Sequence, residues 1–219
     1  MTAAAVFFDL DGTLVDTAPD FHNVINSMLA EAGQPALPLA TVRAEVSNGA
    51  RAVVRAAFSG APDEAEFDRL LERFLGRYQD NLNVATELFP GMAAMLDRLD
   101  QHAIPWGIVT NKPARFTEPL LAALGLAGRV GPVLCPDHVA VTKPHPEGLL
   151  KAAAAVGAAP ADCVYVGDHE RDIAAGRNAG MTTVAALFGY LNAAEDPHSW
   201  QADYYVADAD ALAQLLLPD

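Results

Sequence analysis

The chain of 219 residues is long enough for one sizeable domain or a domain with an insertion, and 52% hydrophobic against 19% charged residues excludes a disordered chain. Fourteen Lys and Arg face 28 Asp and Glu, a formal net charge of -14. Nucleic acid is thereby excluded as a partner, because binding to a phosphate backbone rests on clustered cations. No apolar run approaches the length of a membrane span, and the amino end lacks the basic stretch and apolar core of a signal peptide. Two cysteines, Cys135 and Cys163, are too few for a disulfide framework, so a cytoplasmic protein with buried free thiols is expected.

In chain order, Ala4–Phe8 reads as a buried strand. From Thr17 to Ala85 no strand pattern follows, but two amphipathic helices do. Phe21, Val24, Ile25, Met28 and Leu29 form one apolar stripe, and Phe67, Leu70, Leu71, Phe74, Leu75 and Tyr78 form the other. Thr17 with Asp20 three residues later predicts a capping box for the first helix, and Pro62 and Pro90 punctuate the region. Beyond it, helical patterns (Met92, Met95, Leu96, Leu99; then Leu120, Leu121, Leu124) alternate with apolar runs at Trp106–Val109, Gly131–Cys135, Cys163–Val166 and Thr183–Leu187. A shorter run, Tyr204–Val206, adds an edge. Near-continuous apolar strands indicate a parallel sheet covered on both faces. The expected fold class is therefore α/β, a doubly wound parallel sheet with an inserted all-helical cap; residues 1–16 and 86–219 form the core and 17–85 the cap.

Ligands of such sheets sit beyond the carboxyl ends of the strands. There the sequence places Asp9-Leu10-Asp11-Gly12-Thr13, then Thr110-Asn111-Lys112, then Thr142-Lys143-Pro144, then Gly167-Asp168 with Asp172. Carboxylates, a hydroxyl and an ammonium group meeting in one crevice are the inventory of phosphoryl transfer, which needs an in-line nucleophile and neutralised equatorial oxygens. A net charge of -14 repels an anionic substrate, so a local cation is required, and Mg2+ suits a site with few carboxylate ligands. Gly12 allows a turn that lets Asp9 and Asp11 serve one site. Lys112 either touches a substrate or simply precedes the helix started by Pro113, and Asp172 also fits a first-turn helix acid. His22, His138, His145 and His198 show no metal spacing, and Cys135 and Cys163 read as core.

These four motifs resemble those of the haloacid dehalogenase superfamily. The strings Asp9–Asp16 and Val109-Thr110-Asn111-Lys112-Pro113 resemble its phosphoglycolate phosphatase-like branch. Thr17-Ala18-Pro19-Asp20-Phe21, Cys135-Pro136-Asp137-His138-Val139 and Gly189-Tyr190 are similar to segments of bacterial N-acetylmuramic acid 6-phosphate phosphatases of cell-wall recycling. The resemblance implies Asp9 as nucleophile and Mg2+ ligand. It implies Asp11 as proton donor and then base, its backbone carbonyl also on the metal. Thr110, Gly12 and the Asn111 backbone would hold the phosphoryl group and Lys143 would neutralise it; Asp168 would bind the metal directly, and Asp172 would bind it through water or orient Asp168. Asp at position 11 marks phosphatases and mutases and disfavours dehalogenation, whereas His169 and Glu170 depart from the usual pattern. Asn48, Gly49 and Arg51 would form a cap loop for substrate recognition, with Arg51 either pairing a substrate carboxylate or starting a solvated helix. The implied partner is a small phosphorylated metabolite: the muramate phosphate first, 2-phosphoglycolate second. A sugar phosphomutase and a non-catalytic phosphate-binding module are the alternatives, and monomer and homodimer are both compatible with the chain.

Overall fold

A computed structural model of the chain describes residues 3–60, 63–192 and 195–217; Pro62 lies outside them. The chain divides into two compact units, Met1–Val15 with Leu88–Asp219, and Asp16–Glu87. The first strand, β1 (Ala5–Phe8), leads through β2 (Val15–Asp16) into four helices: α1 (Ala18–Glu31), α2 (Leu39–Val46), α3 (Ala50–Ala57) and α4 (Glu64–Asp80). The chain leaves this unit through β3 (Glu87–Leu88) and continues with α5 (Met92–Gln101), β4 (Trp106–Val109), α6 (Ala114–Ala123), β5 (Val133–Leu134) and α7 (Glu147–Ala155). It ends with β6 (Cys163–Gly167), α8 (Glu170–Ala179), β7 (Thr182–Ala186), β8 (Tyr204–Val206) and α9 (Ala209–Leu216).

In the larger unit six parallel strands are ordered β5-β4-β1-β6-β7-β8. Every residue of β1, β4 and β6 is buried, as uninterrupted apolar runs require when helices cover both faces. Ala5 and Phe7 of β1 and Cys163 and Tyr165 of β6 point to one side, against Leu149, Ala152 and Ala153 of α7 and Ala175 and Ala179 of α8. The alternate residues Val6, Phe8, Val164 and Val166 point to the other side, where Phe8 meets Trp106 edge to face with ring centres 6.5 Å apart. The chain winds from β1 outward to β5, then returns to β6 on the opposite flank of β1. The order therefore reverses beside β1, and a crevice opens at the carboxyl ends of β4, β1 and β6.

The expected strand Gly131–Cys135 is only two residues long as observed. It is the sheet's edge, and Pro132 brings no N–H to it; its carbonyl still accepts from Ile108 N at 2.9 Å.

Between strand residues Asp16 and Glu87 at its two ends, the regular elements of the smaller unit are helices among the described residues, and they pack an aromatic centre. Phe21 of α1 lies 5.4 Å from Phe74 and 4.4 Å from Tyr78 of α4, centre to centre. Two further helices, α2 and α3, join the two that periodicity indicates. The capping box does not form. Thr17 makes no side-chain cap to α1, and Asp20, buried at 1% exposure, instead accepts from Val84 N (3.1 Å), Ala85 N (2.8 Å) and Thr86 Oγ1 (2.6 Å). Three donors from the returning chain outcompete the helix's own first turn for this carboxylate.

Candidate active site

Asp9 follows directly on β1, its backbone N–H donating to Val166 O at 2.9 Å, so its carboxylate emerges where the sheet ends. Around it stand Asp168, at the end of β6, and Asp172, in the first turn of α8. One oxygen from each of the three carboxylates lies within 4.8 Å of the others. Lys143 inserts its ammonium beside them, 2.8 Å from Asp9 Oδ1 and 2.7 Å from Asp172 Oδ1. Its third contact is Tyr165 Oη at 2.9 Å, and that phenol donates in turn to Val109 O at 2.8 Å. A buried ammonium has three donors to place, and here each has a neighbour.

Burial dominates the electrostatics. It pushes Asp9 up to about 6, against the pull of Lys143 and with added repulsion from Asp172 and Asp11. Asp168 rises to about 8, through burial and the charges of Asp9 and Asp172. Both shifts record negative charge crowded without water, the condition that a hard cation relieves. Asp9 Oδ1, moreover, is buried and receives no well-directed hydrogen bond despite its ion pair. An acid-only oxygen donor set with an unspent lone pair fits a divalent cation.

The remaining geometry fixes these acids. Asp168 accepts from Thr13 Oγ1 at 2.8 Å and from Tyr190 N at 2.9 Å. Gly12 and Gly189 press against it: a Cβ on Gly12 would lie 2.2 Å from Asp168 Oδ2, and one on Gly189 would lie 2.3 Å from Asp168 Cβ. Asp172 accepts from His169 N at 3.2 Å and closes a capping box for α8, so it is both a helix-start acid and a member of the cluster. Glu170 is exposed and outside the acidic cluster. The His169 ring lies nearly parallel to Trp200, and burial, with Arg171 alongside, pushes its pKa down to about 4.

At the end of β4, Thr110 is buried, and its Oγ1 accepts from Lys112 N at 3.1 Å. The Asn111 side chain ties the neighbouring loop. It donates to Lys143 O and accepts from Lys143 N, both at 3.2 Å, which sets where Lys143 starts. Lys112 is buried and points at Asp11, 3.1 Å from Oδ1 and 3.3 Å from Oδ2. The Asp11 side chain thus faces a cation, apart from the three-carboxylate cluster.

The cap-loop residues lie in the helical unit. Gly49 opens α3 with φ +86 and nothing within 4 Å of an added Cβ, and Asn48 donates to Glu45 Oε2 at 3.4 Å. Arg51 lies 3.0 Å from Asp68 and 3.6 Å from Glu64, with its guanidinium 4.9 Å from the centre of the Phe67 ring. Its charge is engaged by acids of its own unit.

Tyr165 and Thr13 are contributors to the site that sequence reasoning gave no role. The signal at Tyr165 is a phenol inside an otherwise aliphatic strand, since a buried Tyr hydroxyl needs a partner. The Gly189-Tyr190 segment packs on Asp168: Tyr190 N donates to Asp168 Oδ2 at 2.9 Å, and the missing side chain of Gly189 leaves room for the Asp168 Cβ.

A family model of haloacid dehalogenase-like hydrolases matches residues 3–180. The chain is 46% identical over 206 residues to an N-acetylmuramic acid 6-phosphate phosphatase of Pseudomonas putida, covering 94% of this chain and 92% of the relative. It is 48% identical over 202 residues to a phosphoglycolate phosphatase of Xanthomonas campestris, covering 92% and 91%. Among solved structures, a predicted phosphoglycolate phosphatase of Haemophilus somnus superposes with TM-score 0.87 at 28% identity, over 98% of both chains. A family hydrolase of Deinococcus radiodurans, solved with bound phosphate and sodium, superposes with TM-score 0.74 at 26% identity, over 99% of both chains. With a doubly wound core, an all-helical unit inserted after the first strand and this match in sequence, the chain belongs to the haloacid dehalogenase-like hydrolase family.

Proposed function

We propose that the protein is a magnesium-dependent phosphatase that hydrolyses a small phosphate monoester through an aspartyl-phosphate on Asp9, with N-acetylmuramic acid 6-phosphate as its preferred substrate. The observation that carries the chemistry is the Asp9 carboxylate, at a strand end and 14% exposed, 2.8 Å from the Lys143 ammonium and two residues from a second acid.

An oxygen of Asp9 attacks phosphorus as the ester P–O bond breaks, and Asp11 gives its proton to the leaving alkoxide. Water then attacks the phosphoryl group while Asp11 takes its proton, the bond from phosphorus to Asp9 breaks, and inorganic phosphate leaves. Lys143 neutralises the phosphoryl oxygens, while Thr110, Gly12 and the Asn111 backbone N–H hold them. Asp9, Asp168, Asp172 and the Asp11 carbonyl would hold Mg2+, which supplies positive charge against the developing negative charge. The phosphate bound in the Deinococcus relative supports such an oxyanion site. No helix among the described residues is long and apolar enough to cross a membrane, which fits a cytoplasmic enzyme acting on a soluble metabolite.

The muramate reading is supported by the Pseudomonas relatives, at 46% and 42% identity. Phosphoglycolate is the second reading, favoured by the Xanthomonas relative at 48%. Both substrates carry a carboxylate, and Arg51 must exchange its Asp68 and Glu64 partners to meet either.

The test is magnesium-dependent phosphate release, comparing the muramate phosphate, 2-phosphoglycolate and hexose phosphates by kcat/KM. A preference of about a hundredfold for the muramate, or about 2.7 kcal/mol, is expected. A win for phosphoglycolate establishes the second reading, and an isomerised sugar phosphate with little free phosphate identifies a mutase. Asp9→Asn is expected to abolish turnover with the fold intact; a variant keeping about a tenth of the wild-type rate sinks the nucleophile assignment.

A further inference from the structure

We propose that Lys112 is a positioning residue: its ammonium holds the Asp11 carboxylate at the angle from which it serves the leaving group. The inference rests on the phosphatase reading above and extends it to a side chain that reading does not use.

A lysine is rarely buried without a partner, because removing an ammonium from water is costly. The Lys112 side chain is nevertheless only 4% exposed, and that of Asp11 only 16%. The two meet through both carboxylate oxygens, at 3.1 and 3.3 Å. A single ammonium shared between both oxygens fixes where the carboxylate head stands, because one point charge holds the two oxygens at nearly equal distance.

The lysine itself is anchored at its backbone. Its N–H donates to Thr110 Oγ1 at 3.1 Å, and its carbonyl accepts from Thr117 Oγ1 at 3.2 Å, across the start of α6. On the other strand end, Gly12 N donates to Val15 O at 3.0 Å, and Asp11 bridges to Val15. Both backbones are therefore held, and what remains adjustable is the set of side-chain torsions that the ion pair joins. The arrangement links the hydroxyl proposed to hold the phosphoryl group with the acid proposed to serve the ester oxygen, through one residue of β4's end.

A plain structural ion pair predicts that its loss harms every substrate alike. A positioning role predicts loss in proportion to the need for a proton. Lys112→Met is expected to lower kcat/KM for the preferred alkyl phosphate about thirtyfold or more, since misplacing a catalytic group by about 1 Å costs on the order of a hundredfold. For p-nitrophenyl phosphate, whose phenolate leaves unprotonated, the loss is expected to stay under about threefold. kcat/KM is the quantity to compare because it reports only steps up to transfer onto Asp9. In an Asp11→Asn background, adding Lys112→Met is expected to change neither value further. Equal losses on both substrates, no loss on either, or losses that multiply in the double variant overturn the proposal. Should circular dichroism show Lys112→Met unfolded, Lys112→Gln is read by the same ratio. Phosphate release by the wild type together with a silent Asp9→Asn supports the phosphatase reading whatever Lys112 does. A wild type that cleaves neither ester overturns both.

Discussion

Gly12 shows how much of this site is decided by one missing side chain. Its φ is +90 and the space beside it is filled by Asp168, whose Oδ2 would stand 2.2 Å from an added Cβ. Gly12→Ala therefore meets two obstacles. The left-handed backbone costs about 1 to 2 kcal/mol for any residue with a Cβ. The Asp168 carboxylate must also move away from Thr13 Oγ1 and Tyr190 N, now 2.8 and 2.9 Å from it. Gly180 separates these effects, since its φ is +74 but nothing lies within 4 Å of an added Cβ. Gly180→Ala should lose about 1 kcal/mol of stability and keep its activity. Gly12→Ala should lose a similar or larger stability and, in addition, about a hundredfold or more of kcat/KM with a raised magnesium requirement. Thermal melts with magnesium titrations of phosphate release compare the two; equal activities would mean that Asp168 does not depend on this packing.

In the helical unit, the corresponding lever is Asp20. One buried carboxylate gathers Val84 N, Ala85 N and Thr86 Oγ1, and so ties the start of α1 to the chain that leaves α4. Hydrogen bonds to a charged group are worth about 1.5 to 3 kcal/mol, and orphaned buried donors cost more. Asp20→Ala should destabilise the protein by about 3 kcal/mol, read from urea unfolding; a change below about 0.5 kcal/mol would show that water replaces the carboxylate at no cost. The sequence alone points instead to a capping box, because Thr17 and Asp20 have its spacing and the competing donors lie more than sixty residues away. The same limit explains α2, which buries only Val42 and Val46 in eight residues, too short for a period to show. By contrast β1, β4 and β6 are legible because burial on both faces demands unbroken apolar runs, and the candidate site is legible because polar motifs stand where those runs stop. Tyr165 and Lys112 are not legible as neighbours of Val109 and Asp11. Their contacts exist because β4 and β6 flank β1, an order that no local pattern encodes.

Across the whole molecule a net charge of -14 is repeated in miniature at the strand ends, where Asp9, Asp11, Asp168 and Asp172 face Lys112 and Lys143. Four carboxylates against two ammonium groups leave two negative charges, the deficit that a divalent cation cancels before an anionic substrate can approach. Without that cation the imbalance must act on stability. Asp168 is raised from 3.8 to about 8 in the folded protein, chiefly by burial, and Asp9 to about 6. A carboxyl that holds its proton more tightly when folded contributes stability below its unfolded value, and that contribution is lost as pH rises through the folded one. His169 works in the opposite sense, lowered from 6.5 to about 4, but it is neutral in both states above pH 6.5. The window from pH 6.5 to about 8 therefore belongs to Asp168. There the metal-free protein should lose at most about 2 kcal/mol, seen as a melting temperature several degrees lower at the alkaline end. Saturating magnesium should flatten the slope and raise the melting temperature most at pH 8, where the ionised carboxylates bind it best. Asp168→Asn should remove most of the slope without any metal, since an amide has no proton to lose. A metal-free melting temperature that stays level or climbs across this window would mean that the crowded acids are already compensated within the fold, and the site would then have no electrostatic need of a cation.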